Sequence, residues 1–483
     1  MSMMILAMLV PLGGAVLIAL LNRAPAVRDG VTLVTAVAMF GVVIQLVPEV
    51  LSGGRPATDP WQVLPGLELR LVLEPLGMLF ALIASSLWIV NSLYSIGYMR
   101  GNEEERQTPF YVFFAIALSA TLGIAFAGNL FTLFLFYEIL TLVTYPLVTH
   151  KRDEAAIAAG RVYLLILVGG SLILFMAAVA WVFMATGNLA FVPGGTVAGV
   201  LSPLETGLLL ALFVFGIGKA AVMPMHRWLP AAMVAPTPVS ALLHAVAVVK
   251  AGVFSIVKIV VYVIGIENLS SLGAGEWLAY VAGGTVILAS IIALRQDDLK
   301  RRLAYSTISQ LSYVVLAVSV LTPLSVVGAA LHIAAHAFGK ITLFFAAGAI
   351  YTAAHKTKVS QLDGIGRRMP WTMVAFAVGA LSMIGVPPTF GFVSKWFIVS
   401  AAFADQHFFV LAVIVLSTLL NAAYFMPIVH AAFLKPAPHD PHPHGEAPWP
   451  MVVALTMTAT ATILLFLLPT LPLALARQLA GLP

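Results

Sequence analysis

Residues 206–225 read TGLLLALFVFGIGKAAVMPM, and His226-Arg227-Trp228-Leu229-Pro230 follow. The run is long and apolar enough to cross about 30 Å of hydrocarbon. Its end is not that of an ordinary helix. Gly216 and Gly218 bracket Ile217, Lys219 follows directly, and Pro224 withdraws a backbone donor and frees a carbonyl. Inside a bilayer such a break persists only where protein or a wet cavity satisfies the freed groups. A lysine at that depth costs roughly 2.5–3.5 kcal/mol to insert. The stretch therefore predicts a broken spanning helix whose lysine faces the interior of a helical membrane protein.

A second interruption of the same kind lies downstream, in Gly385-Val386-Pro387-Pro388-Thr389-Phe390-Gly391, with Lys395 just beyond it. Between and around the two breaks, apolar runs of spanning length fall near 3–21, 30–48, 75–98, 109–127, 129–149, 160–185, 206–225, 237–264, 272–294, 300–320, 324–353, 371–403, 407–433 and 450–475. The predicted fold class is an all-α polytopic membrane protein with about fourteen transmembrane helices. The interrupted segments are helices 7 and 12. Helices 4–8 and 9–13 are two sets of five, and an odd number forces the second set to enter from the other side. Breaks at corresponding positions of two halves point to an inverted repeat. The predicted divisions are residues 1–108 (helices 1–3), 109–264 (first repeat), 265–435 (second, inverted repeat) and 436–483 (a loop and helix 14).

Composition agrees. The chain has 483 residues, 61% of them hydrophobic and 9% charged, where soluble domains carry about 25% charged residues. No polar stretch is long enough to fold alone. No basic stripe lies outside short loops, so a nucleic-acid partner is not expected. Cysteine is absent, which excludes disulfides, thiolate-held clusters and thiol catalysis. Met1 to Leu21 lacks a leading Lys or Arg and a small-residue cleavage site, and reads as a first spanning helix. Of the 25 Lys and Arg, the loops after odd-numbered helices hold most, including Lys151, Arg152, Lys300, Arg301, Arg302, Lys356 and Lys358; the opposite side holds only Arg55, Arg70 and Arg477. The positive-inside bias places both termini outside the cytoplasm, in an inner cell membrane.

Five ionisable residues sit mid-span: Glu138, Lys219, Lys250, Lys340 and Lys395. Together they cost on the order of 15 kcal/mol to insert, and the default reading of such groups is an ion or proton path. Glu138 is the one acidic residue at that depth, and Lys219 is its natural partner, either as a switch or as a static pair. Lys250 follows His244 on helix 8, and a buried lysine that loses proton affinity can load and release a proton. His332, His336 and Lys340 recur at i, i+4 and i+8, one face of helix 11. A metal site there lacks an acidic third ligand. Lys395 reads as an exit site or an edge anchor. Lys258 lies nearer the membrane edge, where snorkelling accounts for it. Ser306, Thr307, Ser309, Gln310 and Ser312 on helix 10 can hydrogen-bond water or neighbouring helices. His439, His442 and His444 read as a solvated loop, as does Glu103-Glu104-Glu105. Gly216-x-Gly218-Lys219 lies inside an apolar span and is no phosphate loop.

In this combination the chain resembles the antiporter-like subunits shared by respiratory complex I, membrane-bound hydrogenases and Mrp-type multisubunit sodium/proton antiporters. The resemblance covers nearly the whole chain. It rests on Phe136 through Thr141, on Lys219 with Pro224 through Pro230, on Ala235 through His244 with Lys250, on Ala304 through Gln310, on His336 through Lys340, and on Gly385 through Lys395. It implies that Glu138, Lys219, His244, Lys250, His332, His336, Lys340 and Lys395 belong to a hydrated proton route. It further implies a non-enzymatic membrane component without cofactor or metal, partnered by other membrane subunits and lipids, carrying protons and, in the assembly, exchanging Na+. Lysine at position 395 and a short C-terminal end look most like the D-type member of the Mrp assembly. A redox-driven complex is the alternative setting. Phe390 stands where a small residue is commoner in the family.

Overall fold

The computed structural model describes residues 2–437 and 444–482. His439 and His442 lie outside them. Among the described residues, eleven helices are long and apolar enough to cross a membrane: Met3–Leu20, Pro25–Leu51, Pro75–Gly101, Gln107–Ala125, Leu130–Val148, Glu154–Thr186, Thr237–Ile264, Glu276–Arg295, Pro323–Ala354, Phe408–Leu434 and Trp449–Leu467. They correspond to expected helices 1–6, 8, 9, 11, 13 and 14. Each of the other three departs from an uninterrupted apolar rod for a visible reason. Helix 10, Leu299–Val318, is whole, but it carries the Ser, Thr and Gln stripe that lowers its hydropathy. Helices 7 and 12 are broken, into Pro203–Gly216 with short turns after it, and into Pro370–Ile384 and Phe390–Ala404. The chain is thus a multi-pass membrane protein of helices.

Two details differ from expectation. Helix 7 leaves α-geometry at Gly216, well before Pro224, and Ala221 adopts a left-handed φ of 55°. A small antiparallel hairpin, Trp61–Leu64 with Leu67–Leu69, also joins helices 2 and 3. Its short strands are too brief for hydropathy to separate from a loop.

Polar residues at the helix ends supply the caps that a chain in a membrane needs. The Asn129 side chain accepts from the Thr132 amide at 2.8 Å, Asp153 from Ala156 at 2.7 Å and Asp298 from Arg301 at 2.8 Å. Inside the bundle, helices 8 and 11 form the axis. The apolar window of helix 8 is wholly buried. Helix 11 packs on helices 3, 8, 10, 12 and 14. Peripheral helices 1 and 2 leave residues such as Val16, Leu20 and Val34 exposed, a surface suited to lipid.

Candidate functional site: a titratable core along helices 8, 11 and 12

Helix 8 is not regular. Its α-helical middle, Val248–Lys258, lies between wide π-turns at Leu242–Val246 and Ile259–Ile264. Such turns recur at functional sites because they displace side chains and free backbone groups. His244 sits in the first of them. It is fully buried, ring to ring with Phe344 at 4.7 Å, and neither of its nitrogens has a hydrogen-bond partner among the described residues. A turn and a half later the Lys250 ammonium meets Nδ1 of His336, while His336 Nε2 has no such partner. A buried polar atom left unpaired costs about 1–3 kcal/mol. These unpaired atoms mark where solvent is needed.

The three helix 11 groups fan out to different partners. Lys340 donates to Ser306 Oγ at 2.7 Å, and Ser306 also receives the Tyr424 hydroxyl at 2.9 Å. Tyr424 contacts Asn421. His332 bridges helices 10 and 12, with Nε2 3.1 Å from Gln310 Oε1 and Nδ1 2.9 Å from Ser394 Oγ. The Gln310 amide is oriented by its other end, where Nε2 donates to the Met383 carbonyl at 3.3 Å. Oε1 therefore accepts, and His332 Nε2 carries a proton. Ser394 can give its single hydrogen either to His332 Nδ1 or to the Gly391 carbonyl at 3.0 Å. In the first state the imidazole is neutral. In the second, Nδ1 is free to hold a second proton and donate it to Oγ. Rotating one hydroxyl thus couples to loading one imidazole.

The break in helix 12 completes this end. Gly385 takes a left-handed φ of 88°, and the carbonyls of Met383 and Ile384 lose their helical donors. Lys395 reaches back from the second half-helix to both, at 3.0 and 2.9 Å. It is 5% exposed, held against the break and not extended toward a membrane edge. The halves fit because Gly391 has no side chain: a Cβ there would lie 1.8 Å from the Ser382 carbonyl oxygen.

Lys219 lies in the matching break of helix 7. Its ammonium donates to the Tyr137 carbonyl at 2.7 Å and Thr141 Oγ1 at 2.5 Å, and lies 3.1 Å from the centre of the Tyr137 ring. The Trp228 indole caps the freed Gly218 carbonyl at 2.9 Å. Expected direct pairing with Glu138 is not seen among the described residues, whose ion pairs within 4 Å lie elsewhere. Glu138 and Tyr137 are sequence neighbours, and the tyrosine faces inward while Glu138 is half-buried on the flank of helix 5, its Oε1 shielded and without a hydrogen-bond partner among the described residues. Helical geometry separates adjacent residues by about 100°, and Lys219 takes the inward side. Its position is fixed by Gly252, where a Cβ would come 2.2 Å from the Ala220 amide.

Lys258 corrects the snorkelling expectation. It is 1% exposed and ion-paired to Glu74 at 2.7 Å. Snorkelling is a depth argument, and depth along one helix says nothing about which neighbour covers it. Glu74, Ser394, Asn421 and Tyr424 escape a reading of the sequence alone. The Glu74 carboxylate directly before a spanning run is a legible signal; the others look like ordinary polar residues in spans. Ser306 and Gln310, individually weak in sequence, prove to contact Lys340 and His332.

Two cavities approach the core from opposite faces. One, of about 240 Å³, is lined by Lys151, Ala235, Thr237, Lys300 and Lys356 at the start of helix 8. The other, of about 470 Å³, is lined by Arg55, Arg70, Glu74, Lys258 and Tyr262 at its end. Buried amines and imidazoles along helices 8 and 11 thus lie between two cavities that each carry charged side chains in their walls. Residues 127–421 match the family described as NADH:quinone oxidoreductase/Mrp antiporter, transmembrane. The chain belongs to that family and is an antiporter-like cation/proton-translocating membrane subunit. It is 34% identical to NADH-quinone oxidoreductase subunit N of Desulforudis audaxviator, over 90% of this chain and 87% of that one. It is 34% identical to the A/B component of a probable K(+)/H(+) antiporter of Rhizobium meliloti, over 74% of this chain but 36% of that one. Among solved structures it is similar to a chain of the membrane-bound sulfane sulfur reductase, an archaeal respiratory membrane complex, with a TM-score of 0.86 and 25% identity over 99% of this chain and 96% of that chain.

Proposed function

We propose that this chain moves protons through the bilayer as one subunit of an Mrp-type multisubunit Na+/H+ antiporter, with both termini outside the cytoplasm. The observation that carries the proton route is the direct contact of Lys250 with His336, flanked by His244 on one side and by Lys340 on Ser306 on the other. No carboxylate lies within 4 Å of these four among the described ion pairs. More than one positive charge in that space is opposed both by burial and by the neighbours. A proton arriving at one site therefore favours departure from the next. Protons enter from the cytoplasmic cavity past Lys300 to His244 and Lys250, pass to His336 and Lys340, and leave through His332, Ser394 and Lys395. Lys219 and Glu138 regulate the traffic. The half-buried Glu138 carboxylate suits a surface completed by a neighbouring subunit, because a charge left against lipid is costly.

In proteoliposomes of the intact assembly, Lys250→Ala should reduce antiport to background, on the order of 10²-fold or more for a lost acid–base group, while subunit content is unchanged. Normal transport by that variant removes the proposed route.

A second reading is that the same route serves a redox-driven complex. The 34% identity to a quinone oxidoreductase subunit over nine-tenths of the chain favours it. Purification from native membranes separates the two by the identity of the co-purifying subunits.

A further inference from the structure

The proton route described above leaves one buried ion pair unused. Glu74 and Lys258 are 6% and 1% exposed and meet at 2.7 Å, at the inner wall of the 470 Å³ cavity on the face opposite the lysine-rich loops. The ammonium also donates to the Ala127 carbonyl at 2.6 Å and lies 4.3 Å from the centre of the Phe191 ring. Lys258 stands eight residues after Lys250 on the same helix, so the two share a face about 12 Å apart. Phe254 occupies the position midway between them on that face. It is fully buried, packs on Phe80 of helix 3 at 5.1 Å, and its ring centre lies 5.4 Å from the Lys258 ammonium. Two aromatic rings therefore separate a titratable pair that borders the outer cavity from the central lysine.

We propose that Glu74 and Lys258 form a second, outer proton port serving Lys250, and that Phe254 with Phe80 is the plug that closes it in this conformation. The proposal rests on the proton-carrying reading of Lys250. The ligand is the proton and not a metal cation: Arg55, Arg70 and Lys258 line the cavity against the one carboxylate of Glu74, leaving no surplus negative charge to hold Na+. The transfer conserves protons. The Lys258 ammonium gives its proton to the Glu74 carboxylate, leaving amine and carboxylic acid. The acid releases that proton to cavity water and returns to carboxylate. The Lys258 amine is then recharged from the Lys250 ammonium through water admitted when the Phe254 ring swings aside, and inward transfer runs the same steps in reverse. A purely structural pair, clamping helix 3 to helix 8, makes no use of the plug or the cavity.

The absence of cysteine in this chain makes the test direct. In sealed proteoliposomes of the assembly, Tyr262→Cys lines the cavity beside the Glu74–Lys258 ion pair and should react with a membrane-impermeant methanethiosulfonate added from the outer side. Lys250→Cys should stay unreactive, and should become reactive when combined with Phe254→Ala. In sealed proteoliposomes, Phe254→Ala alone should speed the decay of an imposed pH gradient several-fold. The uncharged double variant Glu74→Gln/Lys258→Gln, whose two amides can still hydrogen-bond, should abolish that leak. An unreactive Tyr262→Cys, an unaltered leak in Phe254→Ala, or a leak that survives the double variant each overturns the port. Such failures leave the Lys250→Ala transport result untouched, so the port and the central route stand or fall separately.

Discussion

At the scale of single residues, what distinguishes this core is that hydroxyls and amides, not carboxylates, hold the amines and imidazoles. Lys340 rests on Ser306, Lys395 on two main-chain carbonyls and His332 on Gln310 and Ser394. A carboxylate would fix a charge in place, because a close ion pair favours both charged forms. A hydroxyl can be donor or acceptor, so it accommodates the loaded and unloaded states alike. The Ser394 rotor is the sharpest case. Ser394→Ala removes the partner that His332 Nδ1 has among the described residues and should lower the transport rate about 100-fold, the lower end for a positioned proton-transfer group. Ser394→Thr keeps the hydroxyl and should restore most of the rate. A merely structural serine would be replaced by alanine at little cost and give no such rescue.

At the scale of elements, close approach governs which side chains can meet. Gly252 lets the break of helix 7 lie against helix 8, and Gly391 lets the two halves of helix 12 join; a Cβ would fall 2.2 Å and 1.8 Å from main-chain atoms at the two sites. Backbone cannot yield as a side-chain tip can, and overpacking ordinarily costs about 1–3 kcal/mol or more. Gly252→Ala and Gly391→Ala should each lower the thermal midpoint of the detergent-solubilised chain, whereas alanine at Gly284, with nothing within 4 Å, should not. The loop after helix 5 supplies a pH-dependent counterpart. Burial pushes the His150 imidazole below its ordinary range, with Arg106, Lys151 and Arg152 adding repulsion, against the opposing effect of a hydrogen bond that the ring donates to the Glu105 main-chain carbonyl. With the folded value depressed, the unfolded chain binds more protons once pH drops below about 6.5. Stability should therefore be level above that point and decline on acidification, and His150→Gln should flatten the decline in a midpoint-against-pH series. The two breaks were legible in sequence because glycine, proline and lysine concentrate there. The π-turns of helix 8 were not, since Leu242–Val246 and Ile259–Ile264 have the composition of any apolar helix. The inward turn of Lys219 toward Tyr137 was hidden for a related reason: spacing gave its depth, but the register between helices 5 and 7 is set by packing.

At the scale of the whole molecule, helix 8 links two cavities on opposite faces, and helix 11 branches from its centre toward the break in helix 12. The fourteen-span outline was readable because hydropathy measures each helix singly, and the protonatable groups were readable because their insertion cost has no structural motive. What sequence could not supply was their connection, which depends on helices 10, 12 and 13 bringing Ser306, Gln310, Ser394 and Tyr424 between them. The same geometry bears on the exchanged ion. Na+ favours oxygen ligands, carboxylate and carbonyl among them, yet the groups along helices 8 and 11 are amines and imidazoles that repel a cation when charged. On the proposed antiporter reading, Na+ would cross elsewhere in the assembly and this chain would carry the protons. An outward Na+ gradient imposed on proteoliposomes of the whole complex should drive a change of internal pH with no reductant present. Lys250→Gln should abolish that change while leaving sodium bound by the assembly, measured by equilibrium dialysis of 22Na+, as before. If internal pH moves only after a reductant and a quinone are added, and is indifferent to Na+, the antiporter assignment fails and the redox-driven setting replaces it, with Lys250 still required for the proton movement.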